Sequence, residues 1–93
     1  MTAIVLPQAI THDNAASVLS LLSLKLPDAG DVEVDAGALL TFDSSAISVL
    51  LGLARLAHGK NQRFNVNNWP VLLWSLVQAY DVAQVLSSNT ETV

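Results

Sequence analysis

The groups best placed to do chemistry lie in Asp43-Ser44-Ser45, inside Leu40–Leu56, LTFDSSAISVLLGLARL. A short apolar connection there runs straight into a helix. Asp43 suits the N-cap, because the first turn of a helix has backbone N–H groups with no partner inside it. Ser44 and Ser45 fill that turn. The dipole adds positive potential, so a phosphate or carboxylate beside Ser44 would find donors waiting. The same three residues also make an ordinary cap, and the tripeptide alone does not separate the two roles.

The helix wheel widens the region. At about 100° per residue, Ser44, Ser48, Gly52, Arg55 and His58 fall on one stripe. Ala46, Leu50, Leu53, Ala54 and Ala57 fall opposite, toward a core. Leu51 lies within the polar stripe, where it is expected to be exposed. The candidate partner-binding residues are therefore Asp43, Ser44, Ser45, Ser48, Leu51 and Arg55. Small side chains let a partner approach closely, and an apolar anchor inside a polar rim is common interface design. The plainer alternative is a solvated face with Leu51 covered by a neighbour. Asn68 and Trp69, in Asn67-Asn68-Trp69-Pro70, are secondary interface candidates. Trp69 either anchors a partner or staples the loop to the core. Trp74 points away from Leu73 and Leu76, so one tryptophan is expected to be exposed.

Enzymatic constellations fail inspection, and the expectation is a protein with no catalytic residues, no cofactor and no metal. No Gly-x-Ser-x-Gly elbow is present. The chain has no cysteine, which removes thiolate nucleophiles and thiolate metal sites. His12 and His58 have no metal-ligand spacing, and His58 is simply favourable near a helix C-terminus. Gly59-Lys60 is not a phosphate loop: Gly52 lies too far upstream and Asn61 follows where Ser or Thr is needed.

These residues need a scaffold to hold them. Ala3 to Leu6 reads as a strand stopped by Pro7. Thr11 is the expected cap of a helix carrying Ala15, Val18, Leu19, Leu22 and Leu26 on one face, ended by Pro27. Asp28 to Gly30 reads as a turn, and Val32 and Val34 alternate with polar residues in a strand. Ala36 to Phe42 is a connection. The next helix runs from about Asp43 to Ala57, with Gly59 as a left-handed C′ residue. Phe64 and Val66 mark a third strand. Pro70 opens a helix with Leu72, Leu73, Leu76, Val77 and Tyr80 on one face, broken at Asp81. Val82 to Leu86 is a short strand or a helical turn, and 87–93 a polar tail. The alternation implies one α/β domain over 1–93, core about 3–86, with parallel crossovers.

Composition limits the partners. Only Lys25, Arg55, Lys60 and Arg63 are cationic and the formal net charge is -4, too little positive charge to track nucleic acid or an anionic membrane. No stretch approaches the roughly 20 apolar residues of a membrane span, and the N-terminus lacks a signal-peptide pattern, so the expectation is cytoplasmic with no membrane insertion. The mean hydropathy of +0.46 is high for so small a domain. The apolar surplus either fills a tight core or awaits a partner, a second copy of the chain included.

At Asp43-Ser44-Ser45-Ala46-Ile47 the sequence resembles the STAS domain family, which includes anti-anti-sigma factors. The context extends the resemblance over roughly Ile4 to Leu86: Val32-Glu33-Val34-Asp35 as a strand, then Ala36 to Phe42, then the Asp-Ser-Ser motif, a helix, a strand and a last helix. Ala46 stands where the family usually has glycine, and the strand or hairpin that usually opens its fold is not evident. The length and the opening LPQAITHDNAASVLSLL are most similar to the MlaB-type branch. The resemblance implies a small STAS-like fold, a mixed sheet of about four strands covered by about three to four helices. It implies a non-enzymatic cytosolic subunit that binds and supports the ATPase of an Mla-type phospholipid ABC transporter, which maintains lipid asymmetry, at the inner-membrane face. The alternative it implies is an anti-anti-sigma factor that binds an anti-sigma factor kinase and is phosphorylated at Ser44. A third reading, from the helix N-terminus, is a small anion or nucleotide sensor.

Overall fold

In a computed structural model of the chain, residues 3–80 are described. The elements are β1 (Ile4–Val5), β2 (Ala9–Ile10), α1 (Ala15–Ser23), β3 (Val32–Asp35), β4 (Thr41–Phe42), α2 (Ser45–Gly59), β5 (Phe64–Asn67) and α3 (Val71–Ala79). The expected α/β, STAS-like class is the one observed. In detail, five short strands form two sheets, ordered β1-β3-β5 and β2-β4, and every pairing described is parallel. The expectations for Asp81, Val82 to Leu86 and 87–93 lie outside the described residues.

Residue alternation fixes which sheet face is inside. Val32 pairs with Phe64, and Ile4 and Val66 flank Val34. All five are buried. The intervening residues point the other way: Val5 and Asn67 are exposed, and Glu33, Asp35 and Asn65 half-buried. This is the period-two pattern of a sheet with one face in the core.

α2 is the central helix. Seven of its residues, Ala46, Ile47, Val49, Leu50, Leu53, Ala54 and Ala57, are buried. That wide apolar stripe anchors the helix along its length, so its other face is held rigidly. α1 packs directly on it. A Cβ on Gly52 would meet Leu19 Cδ2 at 2.9 Å, so the missing side chain is what lets α1 approach.

Several local expectations give way. Thr11 does not cap α1. Residues 11–14 form a turn in which Asn14 Oδ1 accepts from Thr11 N–H at 2.8 Å, and the helix begins at Ala15. Gly59 is still helical, and the left-handed residue is Asn61, with φ 59°. Asn61 N–H donates to His58 O and Gln62 N–H to Ala57 O, the two bonds of a Schellman ending, and asparagine tolerates that conformation nearly as glycine does. Ala36 to Phe42 is more than a connection, since it contains β4. An opening strand is present as β1. On α3, Leu73 and Val77 are buried, but Leu72 and Tyr80 are exposed, at 73% and 54%. The apolar run there is wider than the face the core can cover.

Candidate functional site

β2 and β4 pair with Ala9 opposite Thr41 and Ile10 opposite Phe42. Asp43 N–H then donates to Ile10 O at 3.3 Å. This parallel pairing brings the end of β2 beside the start of α2. Asp43 closes the junction. Its Oδ1 accepts from Ser45 N–H at 2.8 Å, satisfying the first N–H of α2 from the residue before the N-cap, and its Oδ2 accepts from His12 N–H at 3.1 Å. His12 Nδ1 also lies 3.3 Å from Oδ2, while Nε2 lies 3.3 Å from Asp13 Oδ1. One aspartate therefore holds the first N–H of α2 and ties the helix to the loop before α1, while the N-cap position falls on Ser44 and not on Asp43 as expected.

These donors hold the Asp43 carboxyl well below its ordinary range, at about 2, with the Ser45 N–H the largest cause, opposed by desolvation, and His12 adding to the lowering. A group whose folded pKa is depressed contributes stability that is full above its unfolded value of 3.8 and is lost as pH falls toward about 2. Asp43→Asn keeps an acceptor but loses this proton dependence. The difference in melting temperature between wild type and variant is expected to be largest above about pH 4 and to shrink toward about pH 2. Melting curves across that range check it, and a pH-independent difference would contradict it.

Ser44 and Ser48 are both exposed, one turn apart, and Arg55 is exposed two turns further on. Ser45 is half-buried. Leu51 is not the exposed anchor expected from the wheel. It is half-buried and packs against the core, and Gly52 beside it is covered by Leu19. The wheel cannot anticipate this, because it takes no account of neighbouring elements. What remains open is a small polar patch at Ser44 and Ser48, with Arg55 exposed further along the helix, beyond the half-buried Leu51 and Gly52.

The secondary candidates occupy the same end of the fold, beyond the C-terminal ends of β3 and β5. Asn68, with φ 60°, donates from Nδ2 to Asp35 Oδ1 at 3.1 Å, and the same oxygen accepts from Gly37 N–H at 2.8 Å. Both bonds pull the Asp35 carboxyl below its ordinary range, Gly37 more strongly. Asn68 thus clasps two loops. Trp69 and Trp74 pack with their rings tilted at 54° and 5.2 Å between centroids, and both are half-buried against the core, so neither is the exposed tryptophan expected. Trp69 staples its loop inward.

Among the described residues, no group of three His, Asp or Glu side chains is arranged to hold a metal ion. No described helix is long and apolar enough to cross a membrane. An open cleft of about 340 Å³ lies where the chain between α1 and β3 enters the sheet, lined by Lys25, Pro27, Gly30, Asp31 and Glu33 among others. The sequence reading missed His12 as a partner of Asp43. A two-residue parallel bridge has no periodicity to betray it, so no sequence signal could have found the pair. The family model described as Mlab, STAS domain matches residues 2–87. A comparison with curated proteins gives no match.

Proposed function

Because the chain belongs to the STAS domain family, of the MlaB type, we propose that it is a non-enzymatic docking subunit for the ATPase of an Mla-type phospholipid ABC transporter. It works at the cytoplasmic face of the inner membrane. The observation that supports this most is the open face of α2. Ser44 and Ser48 present small hydroxyl side chains on a helix whose other side is locked in the core. A rigid, shallow, polar face suits close approach by another protein surface. It supplies no nucleophile–base pair within hydrogen-bond reach of Ser44 among the described residues, so docking suits it better than catalysis.

The test is direct. The purified chain is mixed with the ATPase of an Mla-type transporter and followed by sedimentation velocity. A stoichiometric complex at micromolar concentration is expected, and two species sedimenting independently would sink the reading. Ser44 also stands exposed at a helix N-terminus, which tolerates a phosphate of about -1.5 to -2 charge. A kinase-type anti-sigma factor that adds one phosphate to Ser44, read by intact mass, would favour the anti-anti-sigma reading instead.

A further inference from the structure

The open face of α2 is electrically lopsided. At its N-terminal end the carboxylates of Asp13 and Asp43 flank one imidazole, each 3.3 Å from a ring nitrogen of His12. Among the described residues, no lysine or arginine forms an ion pair with either carboxylate. The chain has four lysines and arginines in all. Lys25 follows the end of α1, Arg55 lies in the last turns of α2, Lys60 caps it, and Arg63 precedes β5. Topology thus sends every one of them to the helix C-terminal end. Of these, Arg55 shares the stripe of Ser44 and Ser48, and it is exposed. Asp43 and Arg55 stand twelve residues apart, about 18 Å along the axis at 1.5 Å per residue.

We propose that the partner docked on this face presents a basic group opposite Asp13 and Asp43 and an acidic group opposite Arg55, so that it lies along α2 in one direction only. The inference rests on the docking reading above and adds the chemistry of the partner surface. Complementary charges at the two ends of an interface steer the encounter and fix its register, while like charges juxtaposed by a reversed pose repel. The helix dipole also favours acids at one end and bases at the other, so the arrangement helps α2 whatever binds it. The experiment must therefore read association and not stability.

Asp13 and Arg55 are both exposed, and the Asp13 side chain is 84% accessible, so Asp13→Lys and Arg55→Glu should leave the fold intact, as melting curves will verify. Stopped-flow association with the ATPase is measured at about 0.02 M and about 0.3 M salt. Each variant is expected to slow association about three- to tenfold at low salt, with the deficit narrowing at high salt. Arg63→Glu, off the stripe, should change the rate less than about twofold. Unchanged rates in Asp13→Lys and Arg55→Glu would overturn the proposal, and so would equal slowing by Arg63→Glu. If those rates are unchanged while substitutions at Ser44 and Ser48 abolish binding, the face stands and its polarity fails. If the wild-type chain does not bind the ATPase, the docking reading fails and this inference with it.

Discussion

A chain carrying Ser44→Arg and Ser48→Arg is expected to stay folded and to bind the transporter ATPase at least about thirtyfold more weakly. Both serines are exposed, so neither substitution touches the core. A cation at the N-terminus opposes the helix dipole, which costs α2 about 0.3–1 kcal/mol, far less than a folded domain can bear. At the interface the same change is severe. Two long side chains rise from a face whose value is its shallowness, and the partner surface can no longer reach the helix. A loss of about 2 kcal/mol or more is the scale of a central interface position. Calorimetric titration measures the affinity and circular dichroism the fold. Affinity within about threefold of wild type would mean that the partner sits elsewhere. Leu51, the anchor suggested by the wheel, is the wrong position for this test. It is half-buried against the core, so a charge there would confuse lost binding with lost packing.

Phe64→Ala is expected to destabilise the domain by about 3–5 kcal/mol. Phe64 opens β5 opposite Val32, has no solvent exposure, and is the largest of the fully buried side chains. Truncation removes its transfer energy and leaves a cavity that the sheet and α2 can only partly close. A domain of this length has a total stability of about 5–14 kcal/mol, so the variant retains little margin. Urea unfolding is expected to show a much lower midpoint with an unchanged slope. Leu72→Ala is the contrasting case. Leu72 is 73% exposed, and its truncation should shift stability by no more than about 0.5 kcal/mol. Equal effects at the two positions would show that the assignment of inside and outside is wrong.

The sequence was legible where a long period matched a face that the core covers, and less so on α3, where Leu72 and Tyr80 share the expected face and yet are exposed. Val32 and Val34, Phe64 and Val66, and the apolar stripe of α2 each repeat with the spacing of their element, and each lies where that spacing puts it. Asp43-Ser44-Ser45 was legible as a helix start for a local reason, since such signals depend on a few adjacent residues, though the N-cap falls on Ser44 and not on Asp43. What was not legible depends on contacts between distant segments. β2 and β4 are two residues each, too short for any pattern. The half-burial of Leu51 follows from packing that a single helix wheel ignores. His12 looked idle until the β2–β4 pairing set it against Asp43. Asn61 took the turn offered to Gly59 because two further residues of helix were stable, and position 61 was then the one that had to be left-handed.

The central claim is that the partner sits on the α2 face at Ser44 and Ser48. The natural chain has no cysteine, so a single introduced thiol reports one place. Ser44→Cys, Ser48→Cys and Arg63→Cys give three probes at exposed positions, two on the face and one at the opposite end of the fold. Their alkylation rates are measured by intact mass with and without saturating ATPase. The account predicts slowing of at least about tenfold at positions 44 and 48 and little change at 63, because a close-packed interface excludes reagent and water alike. Free alkylation at 44 and 48 in the complex, with protection at 63, would contradict it.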